Sequence, residues 1–372
     1  MKLTLIAGAV LALVSGMAAA QSAVTVYGNL DVGVLTQNHA PDGTASTTMA
    51  NGGISPSIWG FRGSEDLGGG LKANFNLEGH FAPDTGAIVG NATTGNGALF
   101  RRQANVGLSS AGLGTVTLGN MYSPAILAFA ATDPRGLREN FSGLYSWAYN
   151  SGVVSKDPVT HQLGLTATPN TNNDVGVFLQ NAISYSNTIG PVGVGAAYSL
   201  PERNTVGAAS GAVYSLGLTY SGPVSLSAAY QSNNKPNTSD RLSSIYTVGA
   251  GYTIGDFTGK LNYLRGVNKD STTIVETSRV DVFGLGVDWK TASNNTVIVA
   301  AYFGKDKDNS ADKTKTLILS DEYALSKRTT LYGQLAYARA DAGATLLTTM
   351  VAGGTAADTN TGLFNVGIKH SF

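Results

Sequence analysis

Residues 71–81 read LKANFNLEGHF and alternate apolar with polar side chains along their whole length. The odd positions are Leu71, Ala73, Phe75, Leu77, Gly79 and Phe81, and the even positions are Lys72, Asn74, Asn76, Glu78 and His80. Because successive side chains of a β-strand point to opposite faces, this stretch predicts a strand with one apolar and one polar face. Residues 24–34, VTVYGNLDVGV, repeat the pattern with the apolar side chains at even positions.

The same rule places about sixteen strands along the chain, and the connections between them are of two kinds. The predicted strands are 23–35, 55–65, 71–82, 99–110, 114–122, 179–187, 191–200, 212–221, 223–232, 243–254, 256–267, 278–289, 295–305, 315–325, 329–340 and 362–372. Tight connections fall at 66–70, 222, 255 and 326–328, whereas 36–54, 201–211 and 341–361 are long. Short turns on one side and long loops on the other predict an all-β fold, a transmembrane antiparallel β-barrel of about 16 strands.

A soluble β-sandwich is the alternative fold, because its strands also alternate apolar and polar residues. A sandwich has two sheet edges and one dry core, whereas a closed barrel has no edge and accepts a polar interior. Aromatic residues near the ends of the apolar rows favour the barrel, since a bilayer interface enriches them there. They include Tyr198, Tyr220, Tyr230, Tyr252, Tyr337 and Phe372.

The N-terminal residues predict export across a membrane. Lys2 precedes an apolar run from Leu3 to Val14, and Ala18–Ala20 follow it, which is typical of a cleaved signal peptide at residues 1–20. The run is too short for a spanning helix. Residues 21–372 show no linker or change of composition, and they predict one barrel domain.

Composition narrows the function classes. The chain has no cysteine, and its 24 basic residues balance its 24 acidic ones. A disulfide framework and a nucleic-acid partner are therefore not expected, and no motif predicts a cofactor or a metal. A barrel of about sixteen strands leaves an aqueous channel, so we expect a pore for small hydrophilic solutes and ions.

Several short stretches resemble the general porins of Gram-negative bacteria, of the Burkholderia and Neisseria type. They are 24–31 (VTVYGNLD), 59–68 (WGFRGSEDLG), 102–108 (RQANVGL), 325–329 (LSKRT) and 367–372 (GIKHSF). The resemblance implies a 16-stranded homotrimer in the outer membrane, in contact with lipid and lipopolysaccharide. It also implies that the third loop, within 123–178, folds inward and constricts the channel. The last strand, ending at Phe372, would be the signal read by the barrel assembly machinery.

On this resemblance, fixed charges at the constriction would set ion preference. The candidates in the loop are Asp133, Arg135, Arg138 and Glu139, and those on the facing wall are Arg62, Lys72, Glu78 and Arg101 or Arg102. Charges of both signs across a lumen would orient polar solutes. Alternatively, these are ordinary solvated loop, lumen or rim charges. Related porins often carry arginine where this chain has Ile58 and Asn120, so strong anion selectivity is not expected.

Three other functions are alternatives to a diffusion pore. The third-loop aromatics Phe141, Tyr145, Trp147 and Tyr149 either form a binding track for a sugar or aromatic solute in a substrate-specific channel, or pack the loop against the wall. An outer-membrane enzyme is not indicated, because serine-hydrolase and metalloprotease motifs are absent and His39, His80, His161 and His370 are far apart in sequence. A plugged adhesin or structural barrel would need fewer strands.

Overall fold

The computed structural model describes residues 23–40, 42–89, 98–149, 176–201, 211–235, 237–270, 272–341, 356 and 358–372. The predicted signal peptide at 1–20, His161 and most of the second half of the 123–178 interval lie outside these residues.

Seventeen strands and two short helices are described. The strands are β1 (Ala23–Gln37), β2 (Ser46–Asn51), β3 (Ile58–Gly68), β4 (Leu71–His80), β5 (Gln103–Ser110), β6 (Gly114–Tyr122), β7 (Phe178–Ile189), β8 (Val192–Ser199), β9 (Val213–Tyr220), β10 (Val224–Asn234), β11 (Arg241–Ile254), β12 (Phe257–Lys269), β13 (Glu276–Ala292), β14 (Asn295–Asp306), β15 (Lys313–Ala324), β16 (Thr329–Ala340) and β17 (Asn360–Ser371). The helices are α1 (Pro124–Ala130) and α2 (Leu144–Tyr149).

The strands form one closed antiparallel barrel. From β3 to β17 each strand pairs with its neighbour in sequence, and β17 pairs with β1 from Asn29↔Ser371 to Gln37↔Leu363. Two residues link β11 to β12, and the first of them, Gly255, has φ +56°. This left-handed conformation suits a two-residue hairpin and favours glycine. The short turns and long connections lie at opposite ends, as the sequence predicts.

β2 and β3 together make a single barrel strand with an interruption. β2 pairs with β1 from Val32 to Gln37, and β3 pairs with β1 from Ala23 to Asn29. The barrel therefore has 16 strand positions filled by 17 segments. The sequence prediction of a long loop at 36–54 is wrong for 46–51, because these residues continue the sheet. Residues 52–57 leave the sheet between the two segments.

The two faces of the sheet differ as the alternation predicts. On β9, Leu216 and Leu218 are exposed by 51% and 52% on the outside, while Ser215, on the inner face, is buried. Phe257 stacks on Trp289 near the short-turn end of the outer face, and Tyr263 packs on Phe283 nearer the long-loop end. An apolar outer band edged by aromatic rings and a polar interior are typical of a barrel in a bilayer.

No helix among the described residues is long and apolar enough to cross a bilayer. In the same part of the chain, no group of three or more histidine, cysteine or acidic side chains is placed to hold a metal ion.

Candidate functional site

The segment Ser123–Gly143, here called the inner segment, leaves the end of β6 and lies against the inner face of the barrel. Ser123 is the N-cap of α1, its hydroxyl accepting from the Ile126 N–H at 3.3 Å, and Pro124 occupies the first helical turn, where it needs no partner for a backbone N–H. The inner-face Ser215 on β9 binds Ser123 Oγ at 2.9 Å and accepts from the Ala125 N–H at 3.0 Å. These contacts fix where the segment begins.

Glycines on the inner face give the segment room. They are Gly195 on β8, Gly217 on β9, Gly249 on β11 and Gly286 on β13. A Cβ at Gly217 would lie 2.8 Å from the Pro124 carbonyl carbon, and one at Gly249 would lie 2.6 Å from Thr132 Cβ. Such distances are well inside van der Waals contact. We call these four positions the glycine seat, because a side chain at any of them would displace the segment.

Asp133 organises the turn that follows α1. Its carboxylate accepts hydrogen bonds from the N–H groups of Leu137 at 2.9 Å, Arg135 at 3.1 Å and Gly143 at 3.2 Å. The Tyr302 hydroxyl on β14 also donates to it at 3.0 Å. The side chain is fully buried. The structure therefore places Asp133 inside the segment's fold rather than on the channel surface.

The far end of the segment is tied to the opposite part of the wall. Arg138 donates from Nε and Nη2 to the two carboxylate oxygens of Glu322 on β15, at 2.9 and 2.8 Å. The Asn140 N–H donates to the Gly53 carbonyl at 3.0 Å, in the interruption between β2 and β3. The inner segment thus reaches from β6 to the β2–β3 break and is held at both ends.

The interruption is itself fixed by one buried acid. The Asp31 carboxylate on β1 accepts from the N–H groups of Gly53, Ile54 and Ser55 at 3.1, 3.0 and 2.7 Å. The Tyr332 hydroxyl donates to the same group at 2.6 Å. Three successive N–H groups around one carboxylate form an anion-binding backbone turn, filled here by the protein's own side chain.

Arg135 is buried beside these groups with 1% of its surface exposed. Its three guanidinium nitrogens have no hydrogen-bond partner within the described protein. Burial lowers the pKa of Arg135 below its ordinary value, and Glu322 and Asp133 act in the opposite direction. A buried cation without hydrogen-bond partners is costly, and a role for Arg135 in ion preference stays a prediction.

The other candidate residues of the third loop, one acid and two aromatic residues, are buried within the loop. Glu139 is buried and lies against Gly52. Phe141 and Trp147 are fully buried, Trp147 stacks on Phe129 at 5.7 Å, and its Nε1–H donates to the Gly176 carbonyl. These two aromatic rings offer no surface to a solute. The side chains of Tyr145 and Tyr149 lie outside what the structure describes.

Strands β3–β6 form the part of the inner wall on which the segment does not lie. Arg62 and Lys72 are exposed there, as their polar parity predicts, and Arg62 lies 4.9 Å from the centre of the Tyr27 ring. Two open cavities of about 840 and 420 Å³ adjoin them and share Asn105, Thr115 and Thr117 as lining residues. The larger one also touches Leu127 of α1, so this space separates the segment from the wall.

The other wall candidates are buried at the edge of this space. Glu78 accepts from Arg102 Nε at 2.8 Å and from the Tyr27 hydroxyl at 2.9 Å. Arg102 also bonds to the Tyr122 hydroxyl, and Arg101 bonds to His80. Both arginines therefore lie within polar clusters, and their effect on permeating ions stays a prediction.

Sequence reasoning missed the partners that hold the segment. Glu322, Tyr302, Asp31 and the glycine seat lie on strands far from the segment in sequence. Two of them could have been noticed in the sequence. Asp31 and Glu322 are acidic residues at positions of their strands that face the interior. Their specific partners depend on the barrel's closure, which no local pattern encodes.

Comparison with known proteins agrees with this architecture. A family model described as Gram-negative porin matches residues 7–343. The chain is 32% identical, over the full length of both proteins, to outer membrane porin protein 32 of Delftia acidovorans. It is 37% identical to an outer membrane porin protein of Bordetella pertussis over 37% of each chain.

Solved structures of outer-membrane porins have the same fold. An anion-selective porin from Comamonas acidovorans superimposes with a TM-score of 0.77 at 27% identity, over 95% of this chain and all of that one. A trimer form of OmpT from Vibrio cholerae has a TM-score of 0.63 at 14% identity, over 94% of this chain and 99% of that one, a likeness of fold alone. The chain belongs to the Gram-negative porin family and is an outer-membrane β-barrel channel.

Proposed function

We propose that this porin is a passive-diffusion channel for small hydrophilic solutes and ions, narrowed where the inner segment faces the uncovered wall of β3–β6. Support comes from the seating of the segment: four wall glycines accept it, and Arg138 and Asn140 fix its far end. A segment held on both sides narrows the lumen without closing it. The cavities between the segment and the wall are the matching open space.

We propose a weak preference for anions. Arg62 is an exposed channel-side cation that forms no ion pair within the described chain, and Arg135 is a buried cation without a partner. The cations Arg62, Lys72, Arg101, Arg102, Arg135 and Arg138 outnumber the acids Glu78, Asp133, Glu139 and Glu322 that lie with them. This excess supports a net positive potential, although Ile58 and Asn120 stand where related porins often carry arginine. The Asn120 amide instead donates to the Arg101 carbonyl at 2.7 Å.

A substrate-specific channel is the second candidate, and the aromatic track that motivates it has little support. Phe141 in the segment and Trp147 on α2 are buried, so they act as packing residues.

We also propose that residues 21–372 act as a homotrimer after removal of residues 1–20. Trimeric assembly is named for the Vibrio structure, and its fold matches this one. At the C-terminus, the Phe372 N–H donates to the Gly28 carbonyl at 3.0 Å, which leaves the ring 48% exposed on the outer face. An exposed terminal aromatic is available for recognition by the barrel assembly machinery.

Planar-bilayer conductance tests this proposal. The refolded protein should conduct steadily, in steps of three, and a salt gradient should give a reversal potential that indicates mild anion preference. Arg62→Gln should lower the anion-to-cation permeability ratio, because it removes one unpaired lumen charge. Lys327→Gln, in a short turn away from the segment, is the matched control. A protein without conductance, or an Arg62→Gln ratio equal to the control's, would contradict the proposal.

A further inference from the structure

The inner wall of the barrel has a sector without charge. Strands β5–β10 contain no charged residue. The cavity of about 840 Å³ that adjoins several of these strands has Lys72, on β4, as the one charged residue among its described lining residues. A charged solute therefore finds no counter-charge along most of this sector, so a ligand selected here is expected to be neutral.

Hydroxyl groups form a regular array on this wall. In the register of β6 and β7, Thr115 lies opposite Ser186 and Thr117 lies opposite Ser184, and all four residues line the cavity. Neighbouring strands are about 4.8 Å apart, and alternate residues of one strand are about 7 Å apart. The four positions therefore mark the corners of a rectangle of that size, here called the hydroxyl array.

The array is available to a ligand. Within the described chain, none of its four hydroxyls forms a hydrogen bond with another group. Beside it, Asn105 on β5 also lines the cavity, and its Nδ2 donates to the Asn120 carbonyl at 2.8 Å, which holds the amide in place. Each hydroxyl can both donate and accept, so the array can bind a solute that carries several hydroxyl groups.

The inner segment supplies an apolar surface to the same cavity. Leu127 of α1 lines the cavity with 56% of its surface exposed, although Ile126 and Phe129 of the same helix are buried. Ligand pockets combine apolar contact with a few placed polar groups. A neutral sugar has the complementary surface, because hydroxyl groups surround its ring and C–H groups cover the ring faces.

We propose that the hydroxyl array and Leu127 bind a neutral mono- or disaccharide on the short-turn side of the inner segment. The cavity also touches Gly70, Ser110 and Gly114, which lie at short turns, so it opens toward that end of the barrel. Its volume of about 840 Å³ is within the range of small-molecule pockets. This inference rests on the proposed function, because the sugar reaches the array through the open lumen.

Single-channel recording in potassium chloride tests the site, with maltose as the probe and a polyethylene glycol of the same hydrodynamic size as the reference solute. In the wild type, maltose should lower the open-channel current along a saturating curve, whereas the polymer should lower it only in proportion to the bulk conductivity. The double variant Thr115→Val, Thr117→Val keeps the shape of both side chains. Its maltose concentration for half of the effect should be about tenfold higher, because two neutral hydrogen bonds are lost.

The matched control, Thr253→Val with Thr258→Val, removes two hydroxyls of β11 and β12 that bond to each other outside the cavity. It should respond to maltose like the wild type. An unchanged half-effect concentration in the Thr115→Val, Thr117→Val protein, with wild-type current in sugar-free salt, would overturn the site.

The wild type alone separates this inference from the proposed function, and its result does not depend on the folding of any variant. A wild type that conducts in sugar-free salt, but on which maltose acts like the polymer, would overturn the sugar site and leave the diffusion channel standing. A wild type without conductance would overturn both.

Discussion

Gly217→Ala tests whether the glycine seat positions the inner segment. The added Cβ would lie 2.8 Å from the Pro124 carbonyl carbon and 3.0 Å from Ala128 Cβ. Carbon atoms in contact are ordinarily about 3.5 Å or more apart, so the root of α1 must move by at least ~0.7 Å. The clash is with backbone, which cannot rotate away as a flexible side chain does.

The movement has one available direction. The wall behind Gly217 is a hydrogen-bonded strand between β8 and β10, whereas the space in front of α1 is the open cavity that Leu127 borders. We expect the segment to shift into the lumen and lower the single-channel conductance. Overpacking of this kind costs about 1–3 kcal/mol, which a barrel with 16 paired strand positions tolerates.

Single-channel recording in planar bilayers measures the effect, with Gly259→Ala as the control. No atom lies within 4 Å of a Cβ placed at Gly259, so the same substitution adds a methyl group without a clash. The control should conduct like the wild type. If Gly217→Ala and Gly259→Ala gave the same conductance as the wild type, the glycine seat would have no role in shaping the channel.

Four further variants test the other anchors of the segment and of the β2–β3 interruption. Arg138→Met should raise the current noise of the open channel, and adding Glu322→Gln should partly reverse it, because the single variant leaves an unpaired buried acid; equal noise in all three proteins would argue against the anchor. Asp133→Asn should also increase noise, since an amide nitrogen cannot accept the N–H bonds that one carboxylate oxygen now takes. Asp31→Asn should lower the unfolding midpoint in urea by the equivalent of about 1–3 kcal/mol for each lost acceptor contact to 53–55, and an unchanged midpoint would refute its role.

The strands of the barrel could be predicted because the alternation of apolar and polar residues is a local pattern in the sequence. In residues 71–81 the period of two alone assigns each side chain to lipid or lumen, and the structure places Lys72 on the lining of the larger cavity, as predicted. The alternating pattern recurs about sixteen times with turns between the repeats, and this count predicts the number of strands. The β2 segment was missed because Ser46–Asn51 is short and mostly polar, so pairing with β1 rather than its own pattern makes it a strand.

The candidate site was only partly predictable. The sequence marks the inner segment's charges as constriction candidates, which stays a prediction, and it cannot show that Asp133 is buried while Arg62 lines an open cavity. Asp133 is buried, and Tyr302, 169 residues away, donates to it. Such a contact exists only once the barrel has closed, so no local pattern distinguishes it from a solvated loop charge.

The segment's position depends on apolar packing and on polar contacts together. Ile126 and Phe129 of α1 belong to a buried apolar cluster that includes Ile245 and Leu264 of the wall, but apolar burial alone gives little specificity of direction. The hydrogen bond that Ser215 accepts from Ala125, the one that Tyr302 donates to Asp133, and the two-point contact between Arg138 and Glu322 fix direction as well as distance. The glycine seat then fixes depth, since it determines how closely the backbone approaches the wall. In the proposed channel, steric fit would set the width at the narrowest point, and the fixed charges beside it would set the ion preference.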